Sequence, residues 1–126
     1  MPLDRAGTQG SLAIVFAALG ARKEGQSGLA CWEAAIMSWQ NAQLVHTRDQ
    51  QPEQWANLQN NIGYYLVLIG ERESNPGRFR EAVPLLREAL RLQTELQSNS
   101  AFNTADSLCR ALLDDGTARG SHRRPA

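Results

Sequence analysis

Trp55 to Leu90, WANLQNNIGYYLVLIGERESNPGRFREAVPLLREAL, carries two helical apolar patterns with a polar stretch between them. In the first, Leu58, Ile62, Tyr65, Leu66 and Ile69 recur at steps of three and four, which sets them on one helix face. Gly70 follows them, where a glycine commonly sits just past a helix C-terminus. In the second, Phe79, Ala82, Val83, Leu86, Ala89, Leu90 and Gln93 keep the same spacing. Neither helix can bury its stripe alone, so the pair reads as a hairpin that packs on itself and on neighbouring hairpins.

Weaker copies of this stretch occupy the rest of the chain. At an offset of 50, Pro2, Ala6, Gln9, Leu12, Phe16 and Gly20 fall on Pro52, Ala56, Gln59, Ile62, Leu66 and Gly70. The apolar run Ser11 to Leu19 superficially suits a signal peptide, but a signal peptide has no reason to copy an internal helix. At an offset of 47, Trp32, Ala35, Ile36, Trp39 and Ala42 fall on Phe79, Ala82, Val83, Leu86 and Ala89, which predicts a helix over about 28–45. The two tryptophans then belong to an alanine-lined core face. The difference between the two offsets falls in the turn Ala21 to Ser27, where length changes are tolerated. At an offset of 46, Leu108, Cys109, Leu112 and Gly116 fall on Ile62, Gly63, Leu66 and Gly70, which predicts a terminal helix over about 100–114.

The central stretch resembles a tetratricopeptide repeat. Ile62, Gly63 and Leu66 match that family's Leu, Gly and Tyr positions, and Ala82, Leu86 and Ala89 match its Ala-x3-Phe-x2-Ala pattern. The small residues make physical sense where helix axes cross closely. Gly63 to Ala82 spans 19 residues, against roughly 12 in the standard repeat of about 34. The surplus falls in Glu71 to Arg78, so the resemblance is to a long-turn bacterial variant. The fold expectation is all-α, an α-solenoid of antiparallel hairpins within residues 1–116. Its units cover about 2–46 and 52–97, followed by the terminal helix, and 117–126 form a flexible basic tail.

Local signals refine these boundaries. Pro52 suits a first helical turn, and Asn75-Pro76 reads as an N-cap followed by a first-turn proline. Pro84 predicts either a bend in its helix or a helix that starts nearer Arg80. From Leu12 to Leu19 the first helix is apolar nearly all round. Leu12, Val15, Phe16 and Leu19 suit the inside, which leaves Ile14, Ala17 and Ala18 outward as a surface for self-association.

Thirteen basic and thirteen acidic residues cancel in this 126-residue chain, so charge gives no reason to expect nucleic acid or an anionic membrane as partner. No apolar run approaches the roughly 20 residues of a membrane span. Cys31 and Cys109 share no motif and read as two free, mostly buried thiols of a cytoplasmic protein, with no metal site. No phosphate loop or nucleophile–base spacing is present. His46 lies in a connector, His122 in the tail, and Asp114-Asp115 at a helix end.

What the resemblance implies is binding in a concave groove lined by the first helix of each unit. The groove positions fall on Asn57, Asn60, Tyr64, Val67 and Leu68 in the central unit. In the first unit they fall on Gly7, Gly10, Ile14, Ala17 and Ala18. In the terminal helix they fall on Asn103, Asp106, Arg110, Leu113 and Asp114. Asn61 and Arg110 match two positions of the subclass that clamps a C-terminal carboxylate, while Gly10, Ile14 and Asp106 depart from it. Asn amides bond both N–H and C=O of a peptide, Tyr64 adds flat area, and Arg110 suits a carboxylate. The expected function is a non-enzymatic protein-interaction scaffold without cofactor. The groove residues are Asn57, Asn60, Asn61, Tyr64, Asn103 and Arg110. The alternative is a self-associating structural module, a homo-oligomer, or a fragment of a larger signalling protein with such repeats.

Overall fold

The computed structural model describes residues 13–23 and 25–123, with side chains described as far as Asp114. Five α-helices pack antiparallel, and the described residues contain no strand. Helix α1 covers 13–22, α2 Gly25–Gln43, α3 Pro52–Glu73, α4 Pro76–Glu95 and α5 Ala101–Arg123. Packing runs between near neighbours in the chain. Helix α2 lies on α3, α3 on both α4 and α5, and α4 on α5, while the backbone of α2 approaches neither α4 nor α5.

Small residues set the closeness of these contacts. A Cβ built on Gly63 would lie 2.6 Å from Leu86 Cγ, so α3 and α4 cross where α3 has no side chain. Ala82, Leu86 and Ala89 are fully buried along the same seam. The two hairpins also repeat one contact. A Cβ on Gly70 would lie 2.8 Å from the Phe79 ring, and one on Gly20 would lie 2.3 Å from the Trp32 ring. Trp32 and Trp39 are buried and pack on Tyr65, with ring centroids 5.8 and 5.2 Å away.

The expected long turn is absent. Helix α3 runs past Gly70 to Glu73, and α4 begins at Pro76, leaving two residues between them. The surplus residues therefore lengthen both helices. Gly70 is a buried interior position beneath Phe79, and the helix stops at Ser74, which takes the left-handed conformation (φ 55°). There the Asn75 N–H donates to the Gly70 carbonyl at 2.9 Å, and the Ser74 N–H to that of Glu71 at 3.4 Å, the two bonds of a Schellman stop. Helix α4 ends the same way around Gln97 (φ 55°), with the Ser98 N–H on the Gln93 carbonyl at 2.8 Å. Asn75 caps α4 through its side chain, which accepts from the Gly77 N–H at 3.0 Å. Because α4 starts at Pro76, Pro84 lies inside it, at an exposed position, and removes one backbone hydrogen bond of the helix.

Three further expectations shift. Helix α1 is rotated from its expected setting, burying Ala13, Ala17 and Gly20 and exposing Val15 and Leu19. The small residues win the inner face because the Trp32 indole N–H reaches the Ala17 carbonyl at 3.1 Å, which requires the α1 backbone to come close. Leu12 lies outside the described residues. Cys109 is exposed although it falls on buried Gly63, because no described helix covers that side of α5. Helix α5 continues through Gly116 and Gly120 to Arg123, so the expected tail is helical over 117–123. A helical glycine costs about 1 kcal/mol relative to alanine and does not forbid the helix. Residues 124–126 lie outside the described residues.

Candidate functional site

Helices α3 and α5 run side by side and leave an open cleft of about 380 Å³ between them, lined by Asn60, Tyr64, Asn103, Asp106, Ser107 and Arg110. Four of the six residues predicted for a binding groove thus share one cleft. On α3, Asn60 and Tyr64 are four residues apart and share a face. On α5, Asn103, Asp106, Ser107 and Arg110 follow the same steps. The Asn60 Oδ1 is buried and has no hydrogen-bond partner among the described residues. Such an acceptor costs about 1–3 kcal/mol unless a donor reaches it, and the N–H of a bound chain is one such donor.

Asn57 and Asn61 do not line this cleft. Asn57 is engaged within the fold, where its Oδ1 accepts from Gln93 Nε2 at 2.9 Å. Gln93 is fully buried, and its own Oε1 accepts from the Thr104 hydroxyl. The three side chains tie α3, α4 and α5 together through one polar chain. Asn61 is half-buried outside the cleft, and Val67, another expected groove position, is fully buried in the core.

Arg110 has a partner already. Its Nε and Nη2 donate to the two Glu71 carboxylate oxygens at 2.7 and 2.6 Å, and its guanidinium lies 5.9 Å from the centroid of Tyr64. This fork-to-fork pair is geometrically specific and occupies the donors expected to take a partner's carboxylate. Glu71 is also a cleft-edge residue, one that the sequence reading placed in the long turn Glu71 to Arg78. Its signal is its place seven residues beyond Tyr64, visible once α3 is known to continue past Gly70.

Asp114 completes the cluster. Burial, together with the neighbouring Glu71 carboxylate, pushes its carboxyl up to about 6, with Arg110 acting in the opposite direction. Glu71 is held below the usual range chiefly by its bonds from Arg110. The two carboxyls therefore titrate as a pair, with the proton on Asp114. Arg110 is held above its usual range by the same contact with Glu71.

A second, more apolar groove of about 540 Å³ opens on the other side of α3, between α2 and α4, over Ile36, Met37, Ile62, Leu66 and Leu85. Arg78 crosses it, with Nη2 on Glu33 Oε1 at 2.8 Å. No group of three or more His, Cys, Asp or Glu suited to a metal ion occurs among the described residues. No described helix is long and apolar enough to cross a membrane. Comparison of the chain with protein-family models, curated proteins and solved structures gives no match.

Proposed function

We propose that this chain is a tetratricopeptide-like solenoid segment of the cytoplasm that binds an extended peptide of a protein partner, without catalysis, in the cleft between α3 and α5. The observation that carries the reading is the convergence of Asn60, Tyr64, Asn103 and Arg110 on one open cleft whose Asn60 acceptor is unmet. The packing of α2 on α3 but not on α5 supports it, since the units of a solenoid touch only the next unit. The matching glycine–aromatic contacts of the two hairpins support the repeat reading. Within the cleft, Asn60 and Asn103 suit peptide backbone groups, and Tyr64 offers a flat face. With Arg110 held by Glu71, recognition of the peptide does not rest on a terminal carboxylate.

The test is a peptide selected on the wild-type protein from a random display library, with affinities then measured by calorimetry. Tyr64→Ala and Asn60→Leu should each weaken binding tenfold or more at unchanged helicity. Met37→Ala, in the opposite groove, should leave it unchanged. Loss with Met37→Ala alone would move the site to the α2/α4 side. Failure to select any peptide would overturn the reading.

A further inference from the structure

Helix α5 presents three faces. Thr104, Ser107 and Ala111 are buried inward, and Asn103, Asp106 and Arg110 face the cleft. The third face holds Phe102, Ala105, Cys109 and Leu112, all exposed, with Leu113 beside them. Phe102 is 79% exposed, Leu112 43% and Leu113 55%, on a stripe that no charged residue interrupts. The equivalent positions of α3 are Ala56, Gln59, Gly63 and Leu66, all buried, with Gly63 seated under Leu86 of α4. A helix belongs on this face, and none of the described helices covers it.

The stripe is spaced three, four, three, and it reads the same in reverse. Laid antiparallel on a second α5, Phe102 meets Leu112 of the second copy, Ala105 meets Cys109, and each contact occurs twice. The large residues stand at the ends and the small ones at the centre, which lets the axes approach closely. Such mutual pairing of one patch with itself is what a two-fold interface requires. Charge agrees, since Asp106 and Arg110 lie beside the stripe on one flank; Glu71 takes Nε and Nη2 of Arg110 and leaves Nη1 without a hydrogen bond among the described residues, and the same pairing brings Asp106 of one copy toward that Nη1 of the other. We propose that the outward face of α5 is a self-association surface, on which α5 of a second copy of this chain packs antiparallel about a two-fold axis.

The apolar stripe does not line the peptide cleft, although the flanking Asp106 and Arg110 do, and its test does not depend on a peptide. Sedimentation from micromolar to submillimolar wild-type protein should show a monomer–dimer equilibrium that stops at the dimer. Phe102→Asp/Leu112→Asp should stay monomeric with unchanged helicity, and Phe102→Ala/Leu112→Ala should weaken the dimer tenfold or more. Register is read by cross-linking. An Ala105→Cys/Cys109→Ala chain is mixed with wild type under mild oxidation and resolved by mass spectrometry. The mixed 105–109 disulfide should exceed either homodimeric disulfide several-fold. A wild-type monomer throughout would overturn the proposal. Growth beyond dimers, as when α5 of one copy meets the exposed side of α1 on the next, would also overturn it. A dimer with no preferred 105–109 link would do so as well, leaving the face for a helix of another protein.

Discussion

Helices α3 and α5 share a register 46 residues apart and differ in what covers them. On α3, Gly63 and Leu66 lie under α4, and the crossing is so close that no side chain fits at Gly63. On α5, Cys109 and Leu112 hold the same positions in the open. Spacing alone marks both faces as packing surfaces. Burial depends on whether a partner helix arrives, and on α5 the described chain supplies none. An exposed apolar face of this kind is an interaction surface by default.

Substitutions at matched positions should separate the two helices most. Gly63→Leu forces a side chain into Leu86, and urea denaturation should show a loss of about 3 kcal/mol. Cys109→Leu, measured at dilution, should change stability by less than about 0.5 kcal/mol. Comparable losses at both sites would mean that α5 is covered as α3 is.

The inner face of α5 should behave like α3. Gln93→Ala leaves a cavity and removes the partners of Thr104 and Asn57, so it should cost about 2 kcal/mol. Asn103→Ala, on the exposed cleft side, should cost far less in the same denaturation experiment. Equal values would break the distinction between the faces of α5.

A small effect is expected at the cleft edge. The Asp114 carboxyl is raised in the folded protein to about 6, above the roughly 3.9 of an unfolded chain. Its ionised form therefore opposes folding. The penalty is complete above about 6 and vanishes as pH falls through the window toward 4. Asp114→Asn should stabilise the protein near neutral pH by less than about 1 kcal/mol, because solvent screens much of the effect. The difference from wild type should close as the pH falls to about 4 in thermal melts. Glu71, shifted downward, contributes in the opposite sense and loses its contribution only at more acidic pH. A gap that widened on acidification would contradict the assignment of the proton to Asp114.

Helix number, order and most buried faces were legible in the sequence because helix packing imposes the three-and-four spacing that Ile62, Leu66, Ala82, Leu86 and Ala89 display. Helix ends were not. Glycine is the usual stop signal, yet Gly70 lies under an aromatic ring, and the stops fall on Ser74 and Gln97, which adopt the left-handed conformation without being glycine. That error carried into the site. Glu71 and Arg72 fall in the long turn that the sequence predicts after Gly70. In the fold, Glu71 holds Arg110. Arg72 stacks 3.9 Å over Trp32 and donates to the Gly20 and Lys23 carbonyls at the end of α1. Asn60 and Tyr64, which line the cleft, fall at groove positions that the tetratricopeptide resemblance implies. The engagement of Asn57 by Gln93 was not legible, because it depends on how deeply α4 seats against α3.

The most direct measurement is the rate at which Cys109 reacts with an aromatic disulfide reagent in dilute wild-type protein, followed beside Cys31. The open face of α5 predicts that Cys109 reacts at nearly the rate of a free thiol while half-buried Cys31 lags. It also predicts that Cys109 slows as protein concentration rises and copies pair. A Cys109 as slow as Cys31 at the lowest concentration would contradict the account, because the face that distinguishes α5 from α3 would then already be covered.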